Sequence, residues 1–300
     1  MRIVAALGGN ALLERGEPPE ADVQERHVRR AAEALAPLAL AHDLVITHGN
    51  GPQVGLLALE SERDPALRRP FPFDTLGAQT QGMIGYWLVT ALQNAAAVEA
   101  ACLICRTVVA ADDPAFDHPT KFVGPVYDEP TAERLAAERG WRVRRDGAAW
   151  RRVVPSPEPV ELIEFPLIEL LADRGTTVVC AGGGGIPVTH DRVGRLHGVE
   201  AVVDKDLTAA LLAHALGAEV LLLLTDVDAV YTGFGTAGAA PIRRISAREL
   251  RSASFPAGSM GPKVEAACRF VESGGRLAAI GRLVDAEALL AQTAGTSVTG

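Results

Sequence analysis

The chain has 300 residues, 48 % of them hydrophobic, enough for one large α/β domain or two smaller ones. A net charge of −8 with no basic stripe argues against a nucleic-acid partner, while leaving room for a basic pocket that takes a small anion. No run approaches the roughly 18 apolar residues of a membrane span, so no membrane partner is expected.

In chain order, short β-rich runs alternate with helical patterns. The opening "RIVAALG" (2–8) is too short for a signal peptide and reads as a first strand that breaks at glycine. Residues 22–41 set Val23, Val28, Ala31, Leu35 and Leu38 on one helix face. "DLVITHG" (43–49) reads as a strand and 74–99 as a long helical region. "ACLICRTVV" (101–109) is strand-like, and its Cys102 and Cys105 lack a second Cys or His pair nearby. They read as buried strand thiols rather than a metal or redox pair. "TTVVCAG" (176–182), "EVLLLLTD" (219–226) and "RLAAIG" (276–281) are further strands. The second of these is almost wholly apolar, as a central parallel strand covered on both faces must be.

Residues 112–160 break this rhythm. "DDPAFDHPTKFVGPVYDEP" is rich in Pro and Asp, and "RVRRDGAAWRRVVPSPEP" reads as a hairpin around "DGAA" (146–149). The stretch is expected to leave the sheet as a lid, with the main fold resuming near "IEFPLIELLADRG". Strands alternating with helices imply an α/β fold with a mostly parallel, doubly wound sheet. No internal repeat or low-complexity tract is visible, and a soluble cytoplasmic protein is expected.

Three of the strands run into glycine-rich turns: "ALGGNAL", "THGNGPQVG" and "CAGGGGIPV". Ligands of open parallel sheets bind outside the carboxyl ends of the strands. Glycine there lets backbone N–H groups approach an anion, helped by the next helix N-terminus. These turns, with Gly8, Gly9, Asn10, Gly49, Asn50, Gly51, Gly183 and Gly184, are therefore candidates for holding an anionic ligand, which the family resemblance given below implies is the substrate and its phosphate. The Walker loop is absent, and the dinucleotide fingerprint fails in "GGGGIP", where Pro187 takes the last glycine's place.

Lysine is the sparse residue. Of 29 basic residues only Lys121, Lys205 and Lys263 are lysine, and each falls in a Gly-, Pro- or Asp-bearing stretch rather than on a helix face. An ammonium is a compact charge that can follow a moving phosphate, whereas a guanidinium is a rigid fork. Lys205, between Asp204 and Asp206, and Lys263, in "GSMGPKVEAA", both open helices, where the dipole also favours anions. That placement suits a phosphoryl group in transfer. His48, the histidine nearest the motifs, reads as a turn-stabilising residue rather than a proton carrier.

At these motifs the sequence resembles the carbamate kinases of the amino acid kinase superfamily. "ALGGNALL", "THGNGPQVG", "HPTKFVGPVY", "WRRVVPSPEP", "GVEAVVDKDL", "LTDVDAVY" and "GSMGPKVEAA" run in family order between residues 6 and 267. Departures are small: Leu76 stands where the family often has a small residue or cysteine, and 232–241 is Gly/Ala-rich.

The resemblance implies an open αβα sandwich with a protruding lid subdomain, a homodimer, and transfer between carbamoyl phosphate and ADP with Mg²⁺, giving ATP and carbamate. Residues 1–175, including the lid at about 112–160, would serve the carbamate side, and 176–300 the nucleotide. Lys205 and Lys263 would flank the transferring phosphoryl group, with Asp206 holding them and Lys121 reaching in from the lid. Asp226, Tyr231 and Met260 would lie around the nucleotide, and no protein ligand is assigned to the metal.

The nearest alternative is another kinase of the same superfamily acting on a different carboxylate or phosphate acceptor. Such relatives usually carry a lysine in the first glycine turn, which "ALGGNAL" lacks. Aspartokinase would also need a C-terminal regulatory extension. A catalytically silent binding protein is disfavoured by the retained lysines and Asp206, and a nicotinamide dehydrogenase by the failed fingerprint.

Overall fold

The computed structural model describes residues 1–14, 16–236, 238–253 and 260–300. Gly258 and Ser259, which begin the "GSMGPKVEAA" stretch, lie outside the described residues. An eight-stranded sheet forms the centre. Its spatial order is Arg244–Ser246, Thr296–Thr299, Leu277–Arg282, Val220–Thr225, Arg2–Leu7, Asp43–His48, Thr177–Val179 and Ala100–Cys102. Every pairing is parallel except that of Leu277–Arg282 with Thr296–Thr299.

The apolar run of Val220–Thr225 explains itself by this position. Successive strand side chains point to opposite faces. Val220, Leu222 and Leu224 join one apolar cluster with Leu35 and Leu38 of helix Ala21–Ala41 and Ile84, Leu88 and Leu92 of helix Phe73–Ala96. Leu221 and Leu223 join a second cluster, with Leu212 of helix Lys205–Ala215 and Phe270 of helix Met260–Glu272. With helices on both faces, the molecule is an αβα sandwich, as expected. No helix among the described residues is long and apolar enough to cross a membrane.

Two segments differ from their sequence reading. The run 101–109 is not one strand: Ala100–Cys102 edges the main sheet, and Arg106–Val109 joins a second sheet with Pro159–Leu162, Ile186–His190 and Leu196–Gly198. The break has a local cause. Buried Gln81 accepts from the Cys105 N–H at 2.8 Å and donates to its carbonyl at 3.1 Å, taking that N–H out of strand pairing, while the carbonyl also accepts from Ile186 of the second sheet at 2.8 Å. Of the two thiols expected to be buried in a strand, Cys105 is buried but lies between strands, and Cys102 is in a strand but only half-buried.

The Pro/Asp-rich excursion is more regular than its composition suggests. Lys121–Tyr127 pairs antiparallel with Ala149–Val154, which pairs with Arg142–Asp146, and helix Glu129–Arg139 packs on this three-stranded sheet. The expected hairpin is present, with Asp146 opposite Ala149 and Gly147 at φ 64°.

Candidate active site

The glycine turns meet at the carboxyl ends of the central strands. Gly8 donates its N–H to Leu224 at 2.8 Å and Gly49 to Leu7 at 2.9 Å, so the first two turns are continuations of the sheet ladder. They touch closely: a Cβ on Gly49 would come within 2.7 Å of the Gly9 nitrogen. In the third turn, Gly183 has φ +65° and faces Asn50 so closely that any side chain would overlap it. Asn50 is itself fixed, donating to the buried Thr80 hydroxyl at 2.9 Å.

These turns, with the lysines, line an open cleft of about 500 Å³. Gly8, Gly9, Asn10, Gly49, Asn50, Gly51, Gly183, Lys121, Lys205, Asp206, Asp226 and Lys263 all contribute to its wall. Three predicted site residues stand elsewhere. Gly184 is anchored behind the wall, its carbonyl accepting from Thr107 at 2.7 Å and Thr208 at 3.0 Å. Tyr231 lies in strand Val230–Thr232, its hydroxyl donating to Asp228 at 2.9 Å. Met260 opens helix Met260–Glu272 and packs against the second apolar cluster.

The lysines form one charged array although they are far apart in sequence. Asp206 accepts from Lys205 at 2.5 Å on one oxygen and from Lys263 at 3.1 Å on the other. Lys121 reaches from the excursion sheet to Asp204, at 2.6 Å. Three ammonium groups thus face two carboxylates at the starts of two helices, with Asp226 a third carboxylate in the same cleft. Burial, with the neighbouring Lys263 charge, lowers the Lys205 pKa against the pull of Asp206. Burial also works against the charge of Lys121, but Asp204 outweighs it and raises that pKa. Asp204 is held well below the usual carboxylate range, since Lys121 and the helix N–H of Asp206 outweigh its burial.

Asp226 closes the other side of the cleft. It accepts from Asn10 at 2.7 Å and from the Thr225 hydroxyl at 3.0 Å. These bonds keep its pKa low despite partial burial. His48 has a different surrounding. It is fully buried below the turns, with Nδ1 3.0 Å from the Gly49 carbonyl, and its pKa falls to about 4 through burial and, secondarily, the Lys205 charge. The ring is neutral at ordinary pH and supports the turn, as its sequence context suggested.

Two contributors escaped sequence reasoning. Asp204 was legible only as a neighbour of Lys205, although an Asp preceding an apolar-periodic run is a helix-cap signal. Thr80, inside a helix, carries no local signal for a partner thirty residues earlier.

The fold and cleft can be set beside known proteins. The pattern of the amino acid kinase family matches residues 1–281. The chain is 52 % identical to the carbamate kinase of Rhizobium meliloti, over 100 % of this chain and 93 % of that one. It is 47 % identical to that of Escherichia coli K12, over 99 % of each. The solved carbamate kinase from Giardia lamblia bound to AMP-PNP superposes with a TM-score of 0.90 at 36 % identity, covering 99 % of this chain and 98 % of that one. Fold, cleft and these likenesses agree, and the chain belongs to the amino acid kinase family, within its carbamate kinase branch.

Proposed function

We propose that this protein is a carbamate kinase that moves a phosphoryl group reversibly between carbamoyl phosphate and ADP, giving ATP and carbamate. The observation that carries this reading is the array of Lys121, Lys205 and Lys263 around Asp204 and Asp206 in a glycine-lined cleft. Phosphoryl transfer passes through a loose transition state, so positioning and charge neutralisation supply most of the catalysis.

In the direction of ATP synthesis, an ADP β-phosphate oxygen attacks the phosphorus of carbamoyl phosphate and carbamate leaves with the bridging oxygen. Lys205 and Lys263, fixed by one carboxylate, contact the phosphoryl oxygens as they move from one partner to the other. Both end atoms are already ionised, so no general base is required. A neutral, buried His48 is compatible with that chemistry. Gly8, Gly9, Asn10, Gly49, Asn50, Gly51 and Gly183 bring backbone and amide donors to the phosphate and carbamate, and Gly184 holds the third turn in shape.

The lobe 1–175, with the excursion at 112–160 acting as a lid, serves carbamoyl phosphate, and the lobe 176–300 serves the nucleotide through Asp226, Tyr231 and Met260. Mg²⁺ fits as a companion of the nucleotide, since it keeps several waters and uses few carboxylates beside phosphates. Asp204 and Asp206 are committed to lysines, so Asp226 is the cleft carboxylate that would hold the ion. When bound, Mg²⁺ supplies charge neutralisation on the β- and γ-phosphates. A cytoplasmic homodimer completes the reading.

A coupled assay for ATP made from carbamoyl phosphate and ADP tests it. Formation of ATP is expected, and its absence alongside turnover of another acyl phosphate would move the protein to a sister kinase.

A further inference from the structure

We propose that Asp204 is a positioning residue that couples the excursion sheet to the phosphoryl-transfer centre by presenting Lys121 to the substrate. The inference rests on the carbamate kinase reading and deepens it. Asp204 uses its two oxygens for two different tasks. Oδ1 caps helix Lys205–Ala215, accepting from the N–H of Asp206 at 2.9 Å and of Leu207 at 3.4 Å. Oδ2 accepts from Lys121 at 2.6 Å, across 83 residues of sequence. One carboxylate therefore fixes both the helix start that carries Lys205 and Asp206 and the lysine that arrives from the other wall.

A second contact joins the same two segments. The N–H of Val202 donates to the carbonyl of Pro155 at 3.0 Å, just past the strand whose Val154 lies opposite Lys121. Residues 202–204 thus meet the excursion sheet through backbone and through charge. Asp206 cannot replace Asp204 in this role, because Lys205 and Lys263 already take both of its oxygens.

The side chain of Asp204 is only 10 % exposed, and a carboxylate so buried is costly to leave without its cation. Lys121 therefore keeps Asp204 when substrate enters. An ammonium has three N–H donors, and one held by Asp204 leaves the others to turn toward an incoming phosphate or carbamoyl oxygen. Asp204 sets where those donors point. The array then divides its labour: Asp206 places the pair of lysines on the sheet side, and Asp204 places the third from the opposite side.

Asp204→Asn separates the two tasks, since asparagine caps a helix as well as aspartate does but holds no lysine. The expected result is a carbamoyl phosphate KM raised about tenfold, with the ADP KM changed by less than about twofold. Hydrogen exchange of strand Lys121–Tyr127 in the ligand-free protein should quicken. Lys121→Ala, which leaves the cap in place, should quicken the same strand, and adding Asp204→Asn to it should raise the KM no further. Asp204→Ala, which also removes the cap, should lower Tm beyond either variant. The proposal is overturned if Asp204→Asn leaves both KM and strand exchange unchanged, if the two substitutions multiply in KM, or if the ADP KM rises in parallel. The exchange experiment needs no turnover, so it decides the coupling even if the unaltered protein makes no ATP from carbamoyl phosphate.

Discussion

The cleft has two walls of different construction. Lys205, Asp206 and Lys263 sit on helices packed against the central sheet, whose strand Val220–Thr225 is fully buried along Val220–Leu224. Lys121 sits on a three-stranded sheet whose outer strand, Arg142–Asp146, is largely exposed. That sheet contributes only Val123 and Val154 to a small apolar cluster with Val54, Ala58, Phe73 and Leu76. Charge does much of the remaining work. Arg152 stacks between Phe73, at 4.8 Å, and Trp141, at 4.6 Å, while Arg139 and Arg152 both meet the carboxylate of Glu62. Apolar burial anchors the first wall along a whole strand, whereas the second has a largely exposed outer strand and little apolar burial behind it. The helix-borne wall is thus the more rigidly packed of the two.

The largest effect should come from the rigid wall. Lys205→Met and Lys263→Met are each expected to lower turnover at least about a hundredfold, roughly 3 kcal/mol of transition-state stabilisation, with circular dichroism unchanged. Near-normal turnover in a folded variant would remove the reacting charges from this wall.

Acid should weaken that same wall first. His48 is held neutral in the fold, with its pKa lowered to about 4 from 6.5. A group depressed in the folded state contributes its full stability above the unfolded pKa and loses it as pH falls toward the folded one. Stability should therefore drop by up to about 3 kcal/mol between pH 6.5 and pH 4. Urea melts across this range should show the loss, and His48→Gln should flatten it. An equally steep profile in that variant would assign the effect to other groups.

On the other wall, Lys121→Ala should raise the carbamoyl phosphate KM roughly tenfold to a hundredfold, about 1.5–3 kcal/mol. Calorimetric ADP binding should be nearly unchanged. Weakened ADP binding with an unaltered carbamoyl phosphate KM would reverse the assignment of ligands to walls. The smallest effect is a protection effect: carbamoyl phosphate should slow proteolysis and hydrogen exchange across 112–160 while the central strands stay as they were. Equal protection with and without ligand would make both walls rigid.

What could be read without coordinates followed the same division. The central strands announce themselves because burial on both faces demands unbroken apolar runs, as in "EVLLLLTD". Lys205 and Lys263 stood out because lysine is almost absent from an arginine-rich chain. The strand Lys121–Tyr127 was unreadable, since Gly124 and Pro125 interrupt its alternation at the irregularity between Val123 and Val126. Gln81 could not be foreseen as the cause of the bend at Cys105, because its partner lies 24 residues away and nothing in a helix repeat marks that direction. Asp204 shows the same limit: a cap is a local signal, but its bond to Lys121 exists only once two distant segments have met.

The central position of Arg2–Leu7 has a consequence for biogenesis. One of its neighbours, Asp43–His48, is made soon after it, but the other is Val220–Thr225, with Ile3 opposite Val220. On a ribosome adding about 5–20 residues per second, the first strand waits on the order of ten to forty seconds for that partner. Throughout the wait, one edge of an apolar strand is open, and the first glycine turn lacks the Leu224 carbonyl that fixes Gly8. Pairing at such sequence separation closes a long loop and is slow even after release. The cleft therefore cannot be complete until Val220–Thr225 and, after it, Lys263 have been made.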